Sequence, residues 1–143
     1  MLAGALVVPP QYRQVALWSV GEYDYPEMRP GAAVVATDTA VVAATGADWG
    51  DAGPQNVTVS VWLGRTSTSD STMRRRFVGV IQVASAGVRA GNVMSGNVFD
   101  IDVPEGIHRV EVWTNTRIGG PSLIDFRLPE IQDRRASMPN HRR

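Results

Sequence analysis

The stretch from Asn97 to Asn115 constrains the fold of this chain more than any other. Phe99, Ile101 and Val103 alternate with Asp100 and Asp102. After Pro104-Glu105-Gly106, Val110 and Val112 alternate with Arg109, Glu111 and Trp113. A period of two puts one set of side chains on a buried face and the other in water, which suits a strand and not a helix of 3.6 residues per turn. The expected structure is two antiparallel strands joined by a tight turn.

The same signature recurs along the chain with turn residues between the runs. Residues 57–63 show it most clearly, with Val57, Val59, Val61 and Leu63 directed to a core and Thr58, Ser60 and Trp62 to the other face. Residues 14–20 and 123–128 read as strands. Residues 32–37 and 40–44, on either side of Asp38-Thr39, form a hairpin or one long bent strand. Residues 77–84 are apolar on both faces, which predicts a central strand, and residues 87–93 form a short strand interrupted by glycine. Residues 64–72 are polar, rich in Ser and Thr, and read as an exposed mobile loop. No segment shows a capped helical period. These readings give an all-β chain folded as a two-sheet antiparallel β-sandwich, jelly-roll or Greek-key-like, with about eight strands.

At 143 residues the chain holds one core. Residues 1–12 read as an extended apolar N-terminal arm or edge strand, residues 13–130 as the single sandwich domain, and residues 131–143 as a basic flexible tail. The opening apolar run lacks a basic leader, and no segment approaches the roughly 18 apolar residues of a membrane span. The chain has no cysteine, so neither disulfides nor thiolate metal sites support it, which suits a reducing cytoplasm.

Charge excludes one class of function. Residues 134–143 carry four arginines and no acid, leaving residues 1–133 four charges negative. A nucleic-acid binder needs a broad basic face to release counterions, and a mildly acidic body does not offer one. All 14 cations are arginine, a bias in line with a GC-rich coding sequence.

Catalytic chemistry finds little to work with. Only His108 and His141 are available as imidazole bases, the latter in the tail. There is no glycine-rich phosphate loop and no paired-cysteine motif. Asp100, Asp102, Glu105 and His108 form the best metal-like group, yet acids on a water-facing strand are ordinary and no loop has cation-binding spacing. The expectation is a chain with no catalytic residues, no metal and no cofactor.

Binding has better candidates. Tyr23, Tyr25 and Trp49 fall in two early loops, interleaved with acids that include Asp24 and Asp48. Rigid aromatics in loops supply contact area at low entropy cost, and the surrounding acids suit a basic partner. Arg74, Arg75 and Arg76 precede an apolar strand. They serve either as a clamp for phosphate or a carboxylate-rich partner, or as gatekeepers against aggregation. Trp62 and Trp113, facing away from the valines, either pack beneath a loop or anchor a partner.

The run Val103-Pro104-Glu105-Gly106-Ile107-His108-Arg109-Val110-Glu111-Val112, preceded by Ile81-Gln82-Val83-Ala84-Ser85 and by Tyr12-Arg13-Gln14-Val15, resembles a class of small bacterial β-sandwich proteins. That class includes the competence J-type inhibitor of a nuclease of DNA uptake, and similar sandwiches occur among polymorphic-toxin immunity proteins. The resemblance implies a non-enzymatic binder that occludes a toxin or nuclease, which the acidic loops would suit if basic, and it assigns no binding residues. Two other readings compete: a virion or assembly component tiling through its N-terminal arm, and a carbohydrate- or calcium-binding domain.

Overall fold

The computed structural model describes residues 1–8, 14–22, 24–45, 56–65, 72–116 and 120–131. Ten strands form in chain order: β1 (Leu2–Val8), β2 (Gln14–Ser19), β3 (Val34–Ala36), β4 (Ala40–Ala44), β5 (Val57–Leu63), β6 (Met73–Val83), β7 (Val88–Asn92), β8 (Asn97–Ile101), β9 (Gly106–Asn115) and β10 (Leu123–Leu128). They build two five-stranded sheets, the first in the order β1-β5-β10-β9-β6 and the second in the order β3-β4-β2-β7-β8. The fold is the expected all-β sandwich with ten strands instead of about eight, because residues 2–8 join the first sheet as its edge strand against β5. Asp38-Thr39 turns a β3–β4 hairpin.

The alternation in the sequence fills the space between the sheets. From the first sheet come Val57, Val59, Val61, Ile81, Val110, Val112, Ile124 and Phe126, and from the second Val15, Leu17, Val41, Val88 and Ala90. Phe126, Leu17, Ile81 and Ile124 are among the largest side chains wholly out of water. Each such side chain contributes about 1.5–3 kcal/mol of apolar burial. β1 closes the sandwich at one side against β8, and Gly4 makes this approach close: a Cβ there would fall 2.7 Å from the Phe99 ring.

Three expectations are corrected. The strands flanking Pro104 are not a hairpin: β8 pairs with β7 in the second sheet, and β9 pairs with β10 and β6 in the first. Residues 102–105 instead carry the chain from one sheet to the other, with Val103 buried in the core at the crossing. His108 Nε2 braces this corner from 2.6 Å, donating to the Pro104 carbonyl. Alternation reports which face a residue occupies and says nothing of which strand lies beside it. Pairing is also not purely antiparallel, since β10 runs parallel to β5 between two antiparallel neighbours. Finally, β6 is not central. It ends the first sheet, and its second apolar row, Val78 and Val80, faces water.

Candidate protein-binding face

The outer faces of the two sheets are finished differently. On the second sheet Ala16, Val35 and Val42 are apolar on the outside as well, and Trp18, Tyr25, Met28 and Ala32 pack over them. Tyr25 meets Trp18 edge to face with ring centroids 6.1 Å apart. Burial pushes the Tyr25 phenol up to about 12. The backbone of this segment is tied down where Thr37 Oγ1 donates to the Asp24 carbonyl at 2.7 Å. Farther along the same face Arg89 and Asp100 form a two-pronged ion pair, and the guanidinium holds the Asp100 carboxyl below its usual range.

The first sheet presents a ladder of charged and aromatic side chains, set by register. Trp113 on β9 lies between Asp125 on β10 and Arg75 on β6, and Glu111 lies between Arg127 and Val78. Glu111 is the hub. Its carboxylate accepts from Trp113 Nε1 at 2.9 Å and Arg109 Nε at 3.1 Å, with Arg75 Nη1 at 3.9 Å. Partial burial alone would raise its pKa, but the hydrogen bonds from Trp113 and Arg109 and the two guanidinium charges outweigh it and hold the carboxyl below its ordinary 4.5. Arg127, only 5% exposed, stacks 4.3 Å from the Trp113 ring centre and donates from Nη2 to Asp125 Oδ2 at 3.0 Å. Its Nε and the Trp62 Nε1 are buried without a hydrogen-bond partner among the described residues. Beyond this ladder, toward the sheet edge, Val78, Val80 and Ile107 are 44%, 57% and 66% exposed.

Such a face is suited to recognition. The ions around Glu111 and Asp125 are already paired, so a partner meets side chains fixed in place there, and Trp and Arg are the residues that most often carry binding energy. Glu111, kept ionised well below neutrality, is a poor proton shuttle near pH 7.

Of the residues singled out from sequence, Arg74, Arg75 and Arg76 lie on this sheet, at the start of β6 and exposed. A bulge between Arg75 and Phe77 turns Arg76 aside, and its Nε donates to Thr114 Oγ1 at 3.1 Å. Arg76 thereby lines a cleft of about 290 Å³ at the end of the sandwich, with Ala44, Thr45, Asn115 and Pro121. Tyr25 is half-buried as cover for the second sheet, and Asp24 beside it is exposed. Tyr23, Asp48 and Trp49 lie outside the described residues, as do most of the 64–72 loop and the tail from residue 132. Asp100 is engaged by Arg89 and His108 by Pro104, and among the described residues no three metal-capable side chains converge. Among them, too, no helix is long and apolar enough to cross a membrane.

The face assembles residues that were not singled out for binding: Glu111, Arg109, Asp125, Arg127, Val78, Val80 and Ile107. The signal in the sequence is the double apolar row of residues 77–83, which marks a strand with a second face to cover, and here that face is exposed at a sheet edge instead of buried.

Among solved structures the fold is similar to the crystal structure of ComJ, inhibitor of the DNA degrading activity of NucA, from Bacillus subtilis. The TM-score is 0.63 over 90% of this chain and 97% of that one, at 14% sequence identity. No protein-family model matches the sequence, and no curated protein matches it. The likeness is one of fold, and it reaches across both sheets, not only the turn at Pro104 that the sequence brought forward.

Proposed function

We propose that the protein is a non-enzymatic β-sandwich that binds and inhibits a nuclease or toxin, and that the outer face of the first sheet is its binding surface. The observation that carries the reading is the likeness to ComJ over nearly the full length of both chains. The ladder around Glu111, with exposed Val78, Val80 and Ile107 beside it, supports the location.

Capture of a partner by the immobilised protein from its own cell lysate tests this, read by plasmid cleavage after the partner is released and refolded. The expected result is a captured DNA-degrading activity that falls below about a tenth when one equivalent of free protein is returned. Capture without such activity, or turnover of DNA by the protein itself, contradicts the proposal.

A further inference from the structure

We infer that the free edge of β6, from Phe77 to Ile81, takes up an extended acidic segment of a protein partner by strand addition. This deepens the protein-binding reading of the first sheet and rests on it.

Among the described residues β6 pairs with β9 on one side only. On its other side a single backbone bond reaches it among the described residues, from Gln82 N–H to the Asp38 carbonyl at 2.7 Å. That bond fixes the phase of the whole edge. In an antiparallel ladder a residue whose N–H points outward belongs to a pair that exchanges no hydrogen bonds, and such pairs recur every second residue. Gln82 opposite Ile107 is one, so Val80 opposite Arg109 and Val78 opposite Glu111 are the next two. Val78 and Val80 therefore direct their N–H and C=O groups away from β9. They form a short template of two donors and two acceptors.

Proteins guard such edges with charges, bulges and covering segments. β6 has all three, but among the described residues none at its centre. The bulge and Arg74, Arg75 and Arg76 guard its start, and the β3–β4 turn covers Gln82. Between them Phe77, Val78, Gly79, Val80 and Ile81 carry no charge. Gly79 contributes no side chain of its own, and its inner face is filled by Phe77, whose ring lies 2.6 Å from where a Cβ would stand. On the outer face Val78, Val80 and Ile107 offer apolar contact to alternate residues of an incoming strand.

The guard residues also select the occupant. Arg74 and Arg75 lie exposed beyond the open stretch, Arg76 being turned aside to Thr114 and Thr116, and the carboxylate near Arg75, Glu111, is already held by Arg109 at 3.0 Å while Arg75 stays 3.9 Å away. A strand continuing past Val78 toward Arg74 meets cations with donors to give, which favours glutamate or aspartate there. A second copy of this chain fits poorly. Antiparallel self-pairing about Gly79 would set Arg76 of one copy at Gln82 of the other, where Asp38 already occupies the edge.

The test uses isotope-labelled full-length protein and a synthetic peptide of about nine residues alternating valine and glutamate, with amide hydrogen exchange as the readout. Saturating peptide is expected to slow exchange at Val78 and Val80 at least tenfold, while Ile81, already bonded to β9, changes little. The lysine-for-glutamate peptide is expected to bind at least tenfold more weakly, and R74E/R75E to reverse that order. Unchanged exchange at Val78 and Val80 at saturation overturns the inference, as does equal binding of the lysine peptide. No nuclease enters this assay, so its failure leaves the inhibitor reading standing, and a protein that captures no nuclease can still pass it.

Discussion

The outer faces of the two sheets began with the same problem and reached opposite solutions. Both carry apolar residues on the side away from the core: Ala16, Val35 and Val42 on the second sheet, Val78 and Val80 on the first. The second sheet is covered by the chain's own segment, with Tyr25 and Met28 laid across it. The first exposes Val78 and Val80 at its edge and elsewhere carries ion pairs and a guanidinium stacked on Trp113. Under the proposed function, the covered sheet is the side that stabilises the chain and the exposed apolar edge of the other is the side that meets a partner.

The sharpest way to break the contrast is at Arg127, where the first sheet's outer face is most buried. Arg127→Met leaves Asp125 half-enclosed with no cation, and stability is expected to fall by about 3 kcal/mol in urea unfolding. Restoring an apolar pair with Asp125→Leu in the same chain should recover most of that loss. Removing the cover of the second sheet comes next. Tyr25→Ala loses the edge-to-face contact with Trp18 and uncovers Val42, at an expected cost of about 2 kcal/mol.

The faces also separate by pH. Glu111 has a folded pKa below its ordinary 4.5, so its contribution is present above that value and is lost as pH falls through the lower folded one. Tyr25 has a folded pKa raised from 10.0 to about 12, so its contribution is intact below pH 10 and is lost as pH rises toward 12. Glu111→Gln should therefore flatten the acid limb of the stability curve, and Tyr25→Phe the alkaline limb, each leaving the other unchanged. The smallest effect completes the comparison. Val80→Thr on the open face should change stability by less than about 0.5 kcal/mol, whereas Val42→Thr, wholly buried beneath the cover, should cost about 1.5 kcal/mol for a hydroxyl taken from water.

Strand positions were legible because alternation is a local property: Val57 to Leu63 shows in sequence what it does in the fold. Partnership was not. Nothing local distinguishes a hairpin at Pro104 from a corner between sheets, or announces that β10 runs parallel to β5. The candidate face was half visible for the same reason. Arg74 to Arg76 could be seen as a charged run, but Arg127, Trp113, Glu111 and Arg75 become one cluster only when β10, β9 and β6 are set side by side. The composition of the acidic aromatic loop points to recognition, and the packing of Tyr25 over the second sheet is not legible from that composition.

The most direct test of the account is amide hydrogen exchange of the protein alone and in complex with the partner it captures. The account predicts slowed exchange at Val78 and Val80 and along residues 107–113, with residues 24–32 exchanging as they do in the free protein. Protection confined to residues 24–32, with the edge of β6 unchanged, would contradict it and assign recognition to the cover of the second sheet.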